Sequence, residues 1–298
     1  MLRRTLFACL LSLTVLAGCG RRDEATVGSD GNPLVVILSP LYMPGTRGDL
    51  DFVQRHLTET SGMAVQVRVA TSAIQVVEAF GAGTADAGLI NVDEYLLARE
   101  EYGVSPTLQA LRHEKETEYT GVLLVRPGTI SSVRALAGKK VAFAKPTSLS
   151  GFLLPAVFLL GGNIDIQAEF TGSHEESIRR LKAGEVAAAA TYFDMISRHR
   201  GLRILAKTGM VPNEPFVLRH GLRRDKRQAI TAAFQSLGDT AEGKAVLRTM
   251  ADISGFRPVW EDTYAPIHEI LRAANKSVYD LVPEGWEMRR LNRPYLPD

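Results

Sequence analysis

Strand and helix periods alternate along this chain, and that alternation restricts its fold more than any other feature. A β-branched run, Leu34 to Leu38, ends at Ser39 and Pro40, and helical spacing then carries Asp49, Phe52, Val53 and Leu57 up to Gly62. Val65, Val67 and Val69 alternate as a strand, Ile74 to Phe80 reads as a helix closed by Gly81 and Gly83, and Ala87 to Ile90 is a short apolar strand. The pattern is β-α-β-α-β, which demands a mostly parallel sheet with helices on its faces. A second cycle follows: strands at Gly121 to Arg126 and Lys140 to Ala144, a helix from Gly151 to Leu160, a strand at Ala168 to Phe170, a helix from Glu175 to Leu181 and a strand at Ala187 to Thr191. Glu116 to Thr120 leads out of the first unit and Gly209 to Pro215 leads away from the second, after which mainly helical sequence fills Arg224 to Asn275. Two crossings describe two α/β lobes on a hinge. Ligands of open α/β sheets sit beyond the carboxyl ends of the strands, so a cleft between the lobes is the expected site.

The first residues bear on where the chain resides. Arg3 and Arg4 precede an apolar run, Thr5 to Val15, too short to span a bilayer, and Leu16-Ala17-Gly18-Cys19 follows it. That is the grammar of a cleaved lipoprotein signal, which implies a lipidated Cys19 at the mature N-terminus. The expected organisation is a signal peptide over 1–18, a flexible tether over 19–32, a first lobe from 33–118 and 216–298, and a second lobe with hinge segments over 119–215. About 280 mature residues suffice for two lobes with real cores. Cys9 leaves with the signal and Cys19 carries lipid, which excludes disulfides, thiol catalysis and cysteine-metal sites in the mature protein. Lys and Arg number 35 against 33 Asp and Glu, with no basic stripe interleaved with aromatics, so nucleic acid is a poor partner. The densest basic cluster, Arg223, Arg224, Lys226 and Arg227, reads equally well as a solvated helix start.

Three segments could carry chemistry. Lys145-Pro146-Thr147-Ser148-Leu149-Ser150-Gly151 follows a strand and opens a helix, where hydroxyls, backbone N–H groups and the helix dipole converge on one point suited to an oxyanion. An N-cap explains one of those hydroxyls but not the cluster. Ser173 and Glu176 fit a capping box, which leaves His174 over, either a surface residue or a donor to an anion in the cleft. Asp194, beyond the strand ending at Thr191, is a helix cap or an acceptor for a cationic ligand group. A hydrolase triad of Ser148 or Ser150, His174 and Asp194 is a weak alternative: no G-x-S-x-G elbow is present and the order is unusual. H-E-x-x-H and the G-x-x-x-x-G-K-[ST] loop are also missing, so neither a zinc site nor ordinary nucleotide hydrolysis is expected.

Ser148-Leu149-Ser150-Gly151-Phe152-Leu153-Leu154-Pro155, followed by Gly172-Ser173-His174-Glu175 and a strand ending near Asp194, resembles the periplasmic phosphate, phosphite and phosphonate-binding proteins of ABC importers. Glu214-Pro215 resembles the family's acid-Pro at the return hinge. Gly243-Lys244-Ala245-Val246-Leu247 and Gly255-Phe256-Arg257-Pro258 are similar to its C-terminal helices. The resemblance, from Leu34 to about Leu271, implies a type II periplasmic-binding fold that closes on one small oxyanion, with no catalytic residue, metal or cofactor. It implies that Ser148, Ser150 and the backbone at Gly151 hold the phosphoryl oxygens and that His174 donates from the neighbouring helix. Asp194 and Glu214 fall where relatives place acids near a ligand amine. Leu149 stands where a Thr is common, and Ala73 and Ile90 where tyrosines are, which enlarges or dries the pocket; Tyr42 and Tyr119 compensate or pack in the core. The expected protein is a monomeric, lipid-anchored receptor delivering its ligand to an ABC permease. The alternative is a sensory lipoprotein of the same fold that signals to a membrane sensor kinase.

Overall fold

The computed structural model describes residues 23–42 and 45–291. In chain order the strands are β1 (Leu34–Leu38), β2 (Val65–Val69), β3 (Ala87–Leu89), β4 (Ser105–Leu111), β5 (Glu118–Val125), β6 (Lys140–Phe143), β7 (Gln167–Phe170), β8 (Ala188–Tyr192), β9 (Arg203–Pro212), β10 (Pro215–Leu218) and β11 (Gly255–Pro258). The helices are α1 (Arg47–Ser61), α2 (Ala73–Gly81), α3 (Val92–Tyr102), α4 (Leu154–Gly161), α5 (His174–Ala183), α6 (Met195–Arg198), α7 (Arg224–Gln235), α8 (Ala241–Ala251), α9 (Ala265–Ala273) and α10 (Gly285–Leu291).

The strands form two sheets. One has six strands in the order β11-β4-β10-β3-β1-β2, the other five in the order β7-β6-β8-β5-β9. In the first, β1 lies parallel to β2 and β3, while β10 runs antiparallel between β3 and β4. In the second, β6 is parallel to β7 and β8, and β5 is antiparallel to β8 and β9. Every residue of β1 is buried, which explains the unbroken apolar run Leu34 to Leu38: helices cover both faces of that sheet. Helix limits follow local rules. Thr46 caps α1 through Asp49 N, and Gly62 closes it in the left-handed region at φ 68°.

The chain passes between the sheets twice. It leaves β4 through a tight turn at 112–116, in which the Arg112 and Glu116 backbones bond each other, and it returns from β9 through Asn213 and Glu214 into β10. The Asn213 side-chain amide donates to Ala110 O at 3.1 Å and to Glu116 O at 2.9 Å, and Ala110 N donates to Glu214 O at 3.0 Å. Both crossings are thus stitched to each other. Beside them one apolar cluster draws on both sheets, joining Leu149, Leu153, Leu154 and Val211 to Ile90, Tyr95 and Tyr264.

Strands β4, β9 and β10, which the sequence pattern does not reveal, pair antiparallel and make both sheets mixed where mostly parallel ones are expected, and three further features depart from the expectations. Residues 23–32 belong to the fold and not to a flexible tether: Val27 is buried in the first sheet's core, Gly28 O accepts from Ala64 N at 2.8 Å, and Glu24 binds Arg219 and the Arg223 backbone. The apolar anchor is one residue among polar neighbours, too little for a periodic signal. The Arg224 to Asn275 region contains a strand, β11, which extends the sheet beside β4; its Gly and Pro mask strand character in sequence, and both are tolerated because it lies at the edge. Helix α3 shows no apolar periodicity in sequence because its acids and apolar residues share buried faces, Glu94 and Glu101 included. The expected signal peptide over 1–18 and the expected lipidation site Cys19 lie outside the described residues. Among the described residues, no helix is long and apolar enough to cross a membrane.

Candidate functional site

The carboxyl ends of β1, β2 and β3 face those of β6, β7 and β8 across a cleft of about 1460 Å³. The first-sheet wall comprises Tyr42 from the turn after β1, Ala73 at the start of α2 and Asn91 to Glu94 at the start of α3. The other wall comprises Lys145, Thr147 to Ser150, Gly172 to His174, Tyr192 and Asp194, while Arg112, Tyr119 and Glu214 line the hinge side.

The hydroxyl loop owes its shape to a wide turn. After β6, Leu154 N donates to Leu149 O, one residue further than an α-helix allows, before α4 takes up regular geometry. Ser148 caps the turn: its Oγ accepts from Gly151 N at 3.0 Å, so in this arrangement that N–H serves the loop itself. Glycine is needed at 151 for space. A Cβ there would lie 2.7 Å from Ser148 Oγ, 2.8 Å from Ala144 Cβ and 2.8 Å from His174 Cε1. Ser150, buried at the cleft, lies beside Tyr119, whose hydroxyl is held above its ordinary pKa by burial and then by the charge on Glu214.

His174 Nδ1 lies 3.0 Å from Thr191 Oγ1, and its ring meets Tyr192 edge-on at 5.1 Å. Burial lowers its pKa to about 4, with Lys145 acting in the same direction and Glu175 against it. The imidazole is therefore neutral near pH 7 and can present one N–H. Its orienting partner is a hydroxyl where a hydrolase triad needs a carboxylate.

Most of the expected residues converge on the cleft: Ser148, Leu149, Ser150, His174, Asp194, Glu214, Tyr42, Tyr119 and Ala73 all line it. Gly151 shapes the loop from behind. Ile90 does not line the cleft; it is fully buried in the apolar cluster that also receives Leu149. Tyr42 donates to Asn91 Oδ1 at 3.0 Å and so belongs to the wall. The largest change of reading concerns Glu214. Its carboxylate is only 3 % exposed and is gripped by Arg112, Nη1 to Oε2 at 2.9 Å and Nη2 to Oε1 at 2.6 Å. Burial works against the guanidinium's charge, but the facing carboxylate outweighs it and Arg112 is held above its ordinary pKa.

Sequence reasoning missed Arg112, Asn91, Asp93, Glu94 and Tyr192. Asn91 with Glu94 had a legible signal, an Asn-x-x-Glu box directly after a strand. Asn91 N donates to Glu94 Oε2 and Ser39 Oγ to Glu94 Oε1, each at 2.8 Å. Burial, with Asp93 adding to it, pushes Glu94 up to about 8, and burial pushes Asp93 up to about 6. Arg112 had no such signal. It begins the charged stretch Arg-His-Glu-Lys-Glu, which reads as a solvated connection until the return crossing brings Glu214 beside it.

Comparison with known proteins agrees with this architecture. Residues 49–264 match the family described as ABC transporter, phosphonate, periplasmic substrate-binding protein. The phosphate-import protein PhnD of Mycolicibacterium smegmatis is 24% identical over 212 residues, 65% of this chain and 66% of that protein, so about a third of each lies outside the match. Among solved structures, XAC2383 from Xanthomonas citri bound to ATP superposes with a TM-score of 0.67 at 20% identity, covering 84% of this chain and 99% of that one. PhnD1 from Prochlorococcus marinus (MIT 9301) in complex with methylphosphonate gives 0.60 at 19% identity, covering 82% and 98%. At that identity the structures speak for the fold, which is the type II periplasmic-binding fold. With the family match extending over most of the residues that build both sheets and the cleft, this chain belongs to the phosphonate family of periplasmic substrate-binding proteins of ABC transporters.

Proposed function

We propose that this protein captures a small phosphoryl-type oxyanion in the cleft and delivers it to an ABC importer while anchored to a membrane through lipid on Cys19. The carrying observation is the Thr147 to Gly151 loop at a strand-to-helix junction, where the Thr147, Ser148 and Ser150 hydroxyls meet Tyr119 and a neutral His174 in one cleft. Hydrogen-bond donors fixed before the ligand arrives lower the ordering cost of binding. The lipid anchor rests on Leu16-Ala17-Gly18-Cys19 alone.

Two experiments test it. Phosphate, phosphite and methylphosphonate are titrated into the purified domain by calorimetry and thermal shift; a ligand at a hundred times its Kd stabilises the fold by about 2.7 kcal/mol. Ser150→Ala is expected to weaken the bound oxyanion by roughly 1.5–3 kcal/mol, the scale of a hydrogen bond to a charged group. Unchanged affinity in a folded variant removes the loop from the site. Cys19→Ala should move the protein from the membrane to the soluble exported fraction or leave it unprocessed, and normal membrane retention refutes the anchor.

A further inference from the structure

The Arg112–Glu214 pair changes what the hinge side of the cleft offers a ligand. Both oxygens of Glu214 are occupied by the guanidinium, and the carboxylate is 3 % exposed against 18 % for the Arg112 side chain. A bidentate pair uses two of arginine's five N–H groups, so the guanidinium retains three donors and no acceptor. The pair is also fixed in place: Arg112 and Glu116 bond through their backbones, and Ala110 N holds Glu214 O. Tyr119 ties this wall to the oxyanion loop, since it lies beside Ser150 and feels the charges of Glu214 and Arg112. A ligand seated at the loop therefore has a cationic, donor-only group beside it.

We infer that Arg112 determines the ligand class of the cleft: by satisfying Glu214 from within the protein, it makes the site select phosphoryl-type oxyanions whose remaining substituent is uncharged or anionic, and reject those carrying an ammonium group. The inference rests on the oxyanion reading above and deepens it. An ammonium placed against this wall would meet a guanidinium, and the Glu214 carboxylate, which keeps two lone-pair sites, has its charge balanced by Arg112 and is 3 % exposed in a region shielded from water. The other carboxylates that line the cleft are Asp93 and Glu94 at the start of α3, Glu114 in the turn after β4, Asp194 after β8 and Asp252 after α8. Glu94 already accepts from Ser39 Oγ and Asn91 N, Glu114 and Asp252 are exposed to solvent, and Asp194 is half-buried.

The test measures Kd by calorimetry for methylphosphonate and 2-aminoethylphosphonate, which share the phosphonate group and differ in the ammonium. The wild type is expected to prefer methylphosphonate by at least about tenfold. Arg112→Met unmasks the Glu214 carboxylate and should shift the ratio by at least about tenfold towards 2-aminoethylphosphonate. Should that variant fail to fold, Arg112→Met with Glu214→Met removes both charges together, and its ratio should fall towards one. Preference of the wild type for 2-aminoethylphosphonate, through Asp93, Asp194 or otherwise, overturns the inference while leaving the oxyanion reading intact. A ratio unchanged in the folded variants also overturns it. Binding of neither compound by the wild type overturns this inference, and the oxyanion reading falls with it if phosphate and phosphite also fail to bind.

Discussion

Gly151→Ala is the sharpest perturbation of the site. The added methyl carbon would stand at 2.7 to 2.8 Å from three neighbours: Ser148 Oγ, Ala144 Cβ and His174 Cε1. Ordinary carbon contacts lie near 3.5–4.0 Å, so relief needs displacements approaching 1 Å. One of the three neighbours is itself a Cβ and moves only with its backbone; another is the ring that Thr191 orients. Strain cannot be absorbed by one rotamer change, and overpacking of this kind costs roughly 1–3 kcal/mol. Because Gly151 N binds Ser148 Oγ and Gly151 O accepts from Ala144 N, the displacement opens the hydroxyl loop and affinity falls along with stability. Urea unfolding gives the first quantity and calorimetry with the identified oxyanion gives the second. Gly161→Ala is the control, at the end of α4 with no heavy atom within 4 Å of the added carbon; it should be neutral or gain up to about 1 kcal/mol. If Gly151→Ala matches the wild type in both measurements, the loop does not hold the shape described and the steric argument fails.

Glu94 provides a pH prediction with a definite sign. The folded carboxyl releases its proton near pH 8, because of burial and then Asp93, and the unfolded one near 4.5. Between those values the folded state binds more protons, so this group's contribution to stability is fully present below pH 4.5 and is lost as pH rises towards 8, at up to about 1.4 kcal/mol per pH unit. Urea titrations from pH 5 to 8 should show the difference between wild type and Glu94→Gln shrinking or reversing along that slope; a pH-independent difference refutes the assignment. The loss of affinity in Ser150→Ala, the release of Cys19→Ala from the membrane and the ligand ratio set by Arg112 complete the set, each with the measurement given above.

Sequence alone determined the two α/β units, because period-2 and period-3.6 patterns report which faces are buried and need no knowledge of distant residues. It also located the hydroxyl-bearing loop that lines the cleft: Thr147, Ser148, Ser150 and Gly151 are consecutive or nearly so, and a strand-to-helix junction is a local event. His174 was legible for the same reason, as the residue left over beside a cap. What sequence did not determine depends on residues far apart along the chain. Arg112 and Glu214 are separated by 102 positions and meet only because two crossings are stitched together, which turns an expected ligand-facing acid into one half of an internal ion pair. Ile90 follows β3 and Leu149 follows β6, in segments from different sheets' connections, and only their meeting in one apolar cluster at the cleft leaves one packed behind it while the other lines it. Glu24 joins the fold through Arg219 across 195 positions, so the packing of residues 23–32 against the first sheet was likewise a tertiary decision. Local periodicity fixes which elements form and which face each buries; the charge and shape of the cleft are set by which of those faces finally meet, and that depends on the whole arrangement.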